Sequence, residues 1–259
     1  MKQLARTVVR RLAARAPWGV REAMLDGYLD CASEGLVPAR LLSVLAPWSC
    51  TAYPALTARH VRDARLYSDR FEMLRGFVLP PGEGVIGEVG VAVGTFSTFL
   101  IDLFKPQTFV AFDLFDLHTN ATLWGQQTSV VLEGKTHYDF YRDRFASSPT
   151  RVVMEQGLSY ETLAKYPDQS FDILYIDAGH QYEDVKRDAE NARTKIKADG
   201  ILVFNDYIMF DHLHWHPYGV VAAVNELIVQ DDWQVIGFAL EQKMFCDIAL
   251  RRSDFGPRM

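Results

Sequence analysis

The chain has 259 residues, of which 49% are hydrophobic and 23% are charged, so it is long enough for one α/β domain with an extension. Its formal net charge of −6 argues against broad binding to nucleic acid. The three cysteines, Cys31, Cys50 and Cys246, form neither a disulfide framework nor a zinc pattern, which favours a reducing, cytoplasmic location.

Residues 1–78 are predicted to form a helical N-terminal extension that begins with a basic segment. Six basic side chains precede the first acid, Glu22, and apolar residues recur at helical spacing. Such a helix can lie on an anionic membrane surface as a peripheral contact, pack on its own domain, or act as the arm of a homo-oligomer. No apolar run reaches the roughly 18 residues of a membrane span. The basic residues are Lys2, Arg6, Arg10, Arg11, Arg15 and Arg21.

Pro80-Pro81-Gly82 marks a boundary, after which strands alternate with helices in a domain of residues 79–259. This alternation predicts an α/β fold with a parallel sheet. The short Glu241-Gln242 connection predicts that the last two strands form an antiparallel hairpin. Helices are predicted at 95–104, near 137–145 and at 182–196. The predicted strands are 85–91, 108–112, 151–155, 171–176, 200–204, 233–239 and 243–250.

The first strand of this domain leads into a glycine loop typical of a nucleoside site. Gly90 and Gly94 follow Glu88, and Asp113 ends the next strand. Glycines allow a ligand to approach the backbone, and an acid at the tip of the second strand can bind two ribose hydroxyls. The spacing differs from the G-x-G-x-x-G pattern of dinucleotide sites. The sequence therefore favours a ligand with a ribose and no pyrophosphate.

Polar side chains also end two neighbouring strands further along the chain. Asp177 ends one, with His180 three residues later, and Asn205-Asp206 ends the next. Because adjacent parallel strands point their carboxyl ends at one crevice, we expect these side chains to converge beside the glycine loop. Oxygen ligands such as Asp177, Asn205 and Asp206 suit Mg²⁺, and His180 suits the role of general base.

The loop Glu88-x-Gly90-x-x-x-Gly94 resembles the first motif of class I S-adenosylmethionine-dependent methyltransferases, and Asp113 resembles their ribose-binding acid. The resemblance covers about residues 80–250. It implies a Rossmann-like sheet of seven strands, with S-adenosylmethionine as cofactor. It also implies that Gly157 and Ser159 lie near the adenine.

The second group of residues is similar to the metal-dependent O-methyltransferases of the catechol type and of the macrocin type, which acts on macrolide sugars. Asp177, His180, Asn205 and Asp206 follow their layout, although these families have an acid where this chain has Asn205. The resemblance implies O-methylation of a sugar, polysaccharide or natural-product acceptor. His180 would be the base and Asp177 would also orient the hydroxyl, with possible help from Mg²⁺.

Two other functions remain compatible with the sequence. A nicotinamide-dependent oxidoreductase is disfavoured by the missing third glycine and by the acid at Glu88. A catalytically silent methyltransferase-like scaffold would use the basic N-terminal helix to dock to a membrane or another chain. Neither the acceptor nor the choice between oxygen and nitrogen as the methylated atom follows firmly from the sequence.

Overall fold

The computed structural model describes residues 54–213 and 216–253. Contacts along the chain divide it into two compact units, Met1–Thr51 and Ala52–Met259, and the described residues all belong to the second. The basic helix expected at the start of the chain lies outside the described residues, together with the membrane and oligomer contacts expected of it.

Twelve strands occur in the described part of the chain, and eight of them form one sheet. The strands are β1 (Arg65–Tyr67), β2 (Val85–Val89), β3 (Thr108–Asp113), β4 (Thr122–Leu123), β5 (Gln126–Gln127), β6 (Arg151–Gln156), β7 (Phe171–Ile176), β8 (Ile196–Phe204), β9 (Phe210–Asp211), β10 (His216–Pro217), β11 (Trp233–Ala239) and β12 (Asp247–Arg252). The order in the large sheet is β1-β11-β12-β8-β7-β2-β3-β6. Neighbours are parallel except around β12, which is antiparallel to both β8 and β11.

The central strands are apolar runs because both faces of the sheet are covered. Alternate residues of each strand enter separate clusters on the two faces. Ile86 and Tyr175 pack on one side, and Val89 and Leu174 pack on the other. This mixed α/β architecture, with a mostly parallel central sheet and an antiparallel C-terminal hairpin, is Rossmann-like and confirms the predicted fold class.

The helices that flank the sheet begin and end close to the predicted positions. Val185, Ala189 and Ala192 form the buried stripe of the longest helix, as their spacing predicts. The helices are α1 (Ala58–Val61), α2 (Arg70–Arg75), α3 (Thr95–Phe104), α4 (Thr128–Val131), α5 (His137–Phe145), α6 (Ser159–Ala164), α7 (Tyr182–Lys195) and α8 (Val220–Asp231). None of the helices in the described ranges is long and apolar enough to cross a lipid bilayer.

The sheet has one more strand than the sequence predicts, because β1 pairs in parallel with β11. The contacts place the start of the compact unit at Ala52, and the division at residue 78 stays a prediction. The sequence does not reveal β1 because the strand has only three residues and two of them are exposed. Alternation of polar and apolar residues cannot be recognised over so short a span.

A long connection from Leu114 to Thr150 joins β3 to β6 on the side of the sheet where the predicted site lies. It contains the β4–β5 ribbon, α4 and the predicted helix α5. Trp124 and Gly125 form the turn of the ribbon, and Trp124 is 69% exposed. A large aromatic side chain is thus exposed to solvent on a long loop, and loops often carry the residues that bind ligands.

Candidate active site

The loop after β2 contains both glycines of the first motif, and each has a positive φ angle. Gly90 has φ of +84°, and a Cβ atom built on it would lie 2.1 Å from the carbonyl oxygen of Asp177. Only glycine fits where the loop crosses the end of β7. Gly94 has φ of +78°, precedes α3, and packs against Tyr141 and Phe145. The missing side chains therefore let the loop lie directly on β7 and α5.

Glu88 lies inside the domain, below the glycine loop. Its side chain is 1% exposed, and the Ser97 hydroxyl donates a hydrogen bond of 2.5 Å to its carboxyl. The Tyr141 hydroxyl in turn donates to Ser97 at 2.9 Å. Burial raises the pKa of Glu88 well above its ordinary value of 4.5, against the opposing effect of Ser97. The Glu88 carboxyl thus anchors α3 and, through Ser97, also α5, and its contact with the cofactor stays a prediction.

Asp113 ends β3 and fixes the loop by accepting two backbone hydrogen bonds. The Val91 N–H donates to one carboxylate oxygen at 2.9 Å, and the Phe115 N–H donates to the other at 2.8 Å. A carboxylate offers about four acceptor positions, so two remain for other donors. The structure thus keeps Asp113 beside the glycine loop with acceptor capacity for the predicted ribose hydroxyls.

Asp113→Ala should lower the free energy of unfolding by about 2 kcal/mol or more, because two N–H groups lose their acceptors. Urea denaturation measures this loss, and calorimetric titration with S-adenosylhomocysteine measures cofactor affinity on the same samples. Asp116→Ala, at an exposed acid in the same connection, is the matched control and should change neither quantity. Full stability of Asp113→Ala would contradict the two hydrogen bonds.

Gly157 and Ser159, which are predicted to border the adenine, both follow β6. Their hydrogen bonds link them to different parts of the domain. The Gly157 N–H donates to the Asp113 carbonyl at 3.0 Å, which keeps Gly157 next to the predicted ribose site. The Ser159 hydroxyl donates to Asp188 of α7 at 2.6 Å. Burial raises the pKa of Asp188 to about 6. The Ser159 side chain therefore joins α6 to α7, and its position near the adenine stays a prediction.

His180 lies between two carboxylates at the ends of β7 and β8. Its Nε2 atom is 3.6 Å from Asp177 Oδ1 and 3.3 Å from Asp206 Oδ2. Nε2 is buried, and among the described residues it has no hydrogen-bond partner with good geometry. The ring stacks on Tyr218 with centroids 4.5 Å apart and planes 10° apart. The imidazole is thus held in place by packing while its Nε2 atom remains without a hydrogen bond.

Burial and charge act in opposite directions on this histidine. Burial lowers the pKa of His180, but Asp177, Asp206 and Asp211 outweigh it, so the pKa lies above the ordinary value of 6.5. Burial and the charge of Asp177 raise the pKa of Asp206 to about 6. Because His180 and Asp206 lie so close together, the charge of each one changes the pKa of the other.

The predicted magnesium site does not fit these side chains. Asn205 is 7% exposed, and its Nδ2 donates to Asp247 at 2.9 Å and to Tyr175 at 3.3 Å. His180 Nε2 occupies the space between Asp177 and Asp206, where a cation bound to both carboxylates would lie. No group of three or more His, Cys, Asp or Glu side chains within the described ranges is arranged to hold a metal. Asn205 is therefore part of a buried network.

That network contains three residues that the sequence did not indicate. Tyr175 donates to Asp247 at 2.5 Å, and Arg70 Nη1 donates to Tyr175 at 3.3 Å. Burial raises the pKa of Asp247 to about 7. Tyr175 lies within a strand, Asp247 begins the last strand, and Arg70 belongs to the segment expected to be a separate extension. No short motif joins positions so far apart in the chain.

Comparison with known proteins gives a match to one family. The model of a family described as a methyltransferase domain matches residues 88–207, just under half of the chain. That segment contains the glycine loop, Asp113 and the His180 cluster. None of the curated proteins matches this chain.

Several solved structures of methyltransferases are similar in fold. The tRNA methyltransferase TrmK of B. subtilis is 12% identical with a TM-score of 0.46. The similarity covers 72% of this chain and 66% of TrmK, which is less than two thirds of TrmK. A methyltransferase from Mesorhizobium loti is 16% identical with a TM-score of 0.48, and the similarity covers 70% of this chain and 96% of that chain. The precorrin-6y C5,15-methyltransferase of Geobacter metallireducens is 14% identical with a TM-score of 0.47, and the similarity covers 71% of this chain and 87% of that chain. None of these similarities bears on the acceptor.

The residues at the carboxyl edge of the sheet fit the cofactor of this family. S-adenosylmethionine has a ribose diol and an amino-acid tail with an ammonium group. Asp113 retains acceptor positions for the diol, and Asp177, partly exposed beside the glycine loop, is an acceptor for the ammonium. The fold, the family match and these acceptor side chains are all compatible with S-adenosylmethionine as the cofactor. The segment of residues 88–207 is similar to a methyltransferase domain.

Proposed function

We propose that the protein transfers a methyl group from S-adenosylmethionine to a hydroxyl of a sugar, polysaccharide or natural-product acceptor, with His180 as general base. The observation that supports this function best is the buried Nε2 atom of His180. It lacks a well-aligned partner and lies within 3.6 Å of two carboxylates at the edge of the cofactor domain. A buried polar atom of this kind needs a partner, and a substrate hydroxyl can supply one.

The bound cofactor supplies a methyl group on a positively charged sulfur, which is already activated for displacement. The protein therefore has to orient the acceptor hydroxyl and remove its proton. His180 Nε2 takes that proton as the new oxygen–methyl bond forms and the sulfur–methyl bond breaks. Asp177 and Asp206 stabilise the resulting imidazolium, as their effect on the pKa of His180 indicates. No step is assigned to Mg²⁺, because Asn205 is committed to Asp247.

The long connection after β3 is the part of the chain that we assign to the acceptor. Trp124 offers an exposed indole at the turn of the β4–β5 ribbon, and aromatic faces bind the apolar faces of sugars and natural products. A hollow of about 430 Å³ next to the ribbon is lined by His118, Thr128 and Lys135, among others. This surface has the mixed polar and apolar character that a hydroxylated acceptor requires.

Calorimetric titrations with S-adenosylhomocysteine and with NAD, each in Mg²⁺ and in EDTA, test the cofactor assignment. We expect micromolar binding of S-adenosylhomocysteine under both metal conditions and no binding of NAD. A screen of hydroxylated sugars and natural products with methyl-labelled cofactor then tests the acceptor class. Binding of NAD alone would indicate an oxidoreductase, and a folded protein that binds neither ligand would indicate a silent scaffold.

Proton removal by His180 should depend on pH in a defined direction. Only the neutral imidazole accepts a proton, so turnover should rise with pH through a midpoint above 6.5, where the pKa of His180 lies. Asp206→Asn removes one carboxylate that raises this pKa, so the midpoint should fall. NMR titration of the His180 imidazole, identified by its absence in His180→Gln, measures the pKa without any acceptor.

Asp232→Asn is a matched control for this experiment. Asp206 and Asp232 both have left-handed φ angles, +51° and +53°, which asparagine also adopts. Asp232 pairs with Arg59 on the surface. The control should leave the pKa of His180 unchanged. A pKa that stays constant or rises in Asp206→Asn would rule out the proposed electrostatic support.

A further inference from the structure

Arg70 is a partly buried cation next to the cofactor crevice, although it lies outside the family match. It is the first residue of α2, and its guanidinium carbon is 4.4 Å from the centre of the Phe96 ring. Phe96 is the second residue of α3, directly after the glycine loop. The hydrogen bond from Arg70 to Tyr175 places the same guanidinium at β7, two residues before Asp177. Arg70 therefore lies where the glycine loop and β7 meet.

The guanidinium of Arg70 is only partly satisfied. Its Nε is buried and has no hydrogen-bond partner within the described part of the chain. No carboxylate oxygen of a described residue lies within 4.0 Å of its nitrogens, and its one hydrogen bond goes to the Tyr175 hydroxyl. A buried donor without an acceptor is costly. The Nε atom of Arg70 is such a donor, and an acceptor that enters the crevice can pair with the guanidinium.

The charges around Arg70 indicate which anion this would be. The guanidinium partly opposes the burial that raises the pKa of Glu88, Asp206 and Asp247. Burial lowers the pKa of Arg70, but Tyr175, Asp247 and Asp177 outweigh it and raise this pKa above its ordinary value. Arg70 is thus the cation within a group of acids at the ends of β2, β7 and β8. An incoming free anion would be repelled by these acids. A zwitterion would bind, because its ammonium can approach Asp177 while its carboxylate approaches Arg70.

We propose that Arg70 binds the α-carboxylate of the methionyl group of S-adenosylmethionine. Guanidinium is suited to this role because its planar set of donors matches the two oxygens of a carboxylate. The inference rests on the proposed cofactor, and it assigns a cofactor contact to the segment before the family match. α2 then acts as part of the cofactor site, and Phe96 and Tyr175 hold the arginine in position.

Calorimetry with two ligands distinguishes this role from a structural one. S-adenosylhomocysteine carries the α-carboxylate, whereas 5′-methylthioadenosine keeps the adenine, ribose and sulfur but lacks the amino-acid group. Arg70→Gln should weaken binding of S-adenosylhomocysteine by about 10- to 100-fold. Its affinity for 5′-methylthioadenosine should stay within about twofold of the wild-type value. Arg75→Gln, at an exposed arginine of the same helix, should bind both ligands as the wild type does.

The outcomes separate the inference from the proposed function. Equal weakening of both ligands in Arg70→Gln, or no weakening of either, would overturn the carboxylate contact. Failure of the wild-type protein to bind either ligand would overturn the cofactor itself. If Arg70→Gln does not fold, the wild-type protein is titrated with the decarboxylated form of S-adenosylhomocysteine. We expect about 10- to 100-fold weaker binding of that compound, and equal affinity for the two compounds would overturn the inference.

Discussion

Gly90→Ala should lower the free energy of unfolding by about 2–5 kcal/mol and abolish binding of S-adenosylhomocysteine to the protein that remains folded. The new Cβ atom would lie 2.1 Å from the Asp177 carbonyl oxygen and 2.6 Å from its carbon, both of them backbone atoms. These atoms belong to the end of β7, so the loop has to move away from the strand. Such a movement also displaces the Val91 N–H from Asp113. Chemical denaturation and calorimetry on the same preparation measure the two effects.

Gly125→Ala separates the steric clash from the cost of the left-handed backbone. Gly125 has φ of +83°, almost the same as the +84° of Gly90, but nothing lies within 4 Å of a Cβ atom built on it. We expect Gly125→Ala to lose only about 1–2 kcal/mol and to bind S-adenosylhomocysteine normally. Similar losses in the two variants would show that the contact with Asp177 is unimportant.

His180→Ala should lower turnover by about 10²- to 10⁴-fold while the affinity for S-adenosylhomocysteine stays nearly unchanged. The substitution removes the only histidine placed between Asp177 and Asp206 in the described cluster, so no imidazole remains there to take the proton of the acceptor hydroxyl. The measurement is the rate of methyl transfer to the acceptor identified by the screen, together with calorimetry for the cofactor.

Two further variants make this experiment specific. His216→Ala removes another histidine that contacts Tyr218, with ring centroids 6.4 Å apart, but has no carboxylate partner in the cluster, and it should keep most of its activity. His180→Gln keeps a polar side chain of similar length and should be as inactive as the alanine variant. Full activity of His180→Ala would exclude it as the base and leave Asp206 as the next group to test.

The sequence predicts the central strands well because each is an apolar run bounded by glycine, proline or polar residues. β7 ends at Ile176 and β11 ends at Ala239, both as predicted. The last strand is shorter than predicted, since it begins at Asp247 instead of residue 243. Residues 240–246 form the connection, where Met244 has φ of +60° and cannot continue an extended strand.

The candidate site can be predicted where a motif places residues at the end of a strand. It is harder to predict where a side chain can point either into the crevice or into the interior of the domain. Asp113, Asp177, His180 and Asp206 converge as strand topology requires. Glu88, Ser159 and Asn205 occupy the expected places in the chain, but each forms a hydrogen bond to the interior. The spacing of a motif along the chain predicts where the backbone of each residue lies. The hydrogen-bond partner of its side chain depends on residues that are distant in sequence.

The pairing of β1 with β11 has a consequence for the order of folding during synthesis. Arg65 lies opposite Gly237, so β1 cannot join the sheet until β11 has left the ribosome. At about 5–20 residues per second this delay lasts roughly 10–30 s. Arg70 begins the helix that follows β1, so we expect its hydrogen bond to Tyr175 to form together with this late strand pairing. The glycine loop and its neighbouring strands can therefore form early in a nascent chain, whereas the crevice with its arginine is completed among the last steps.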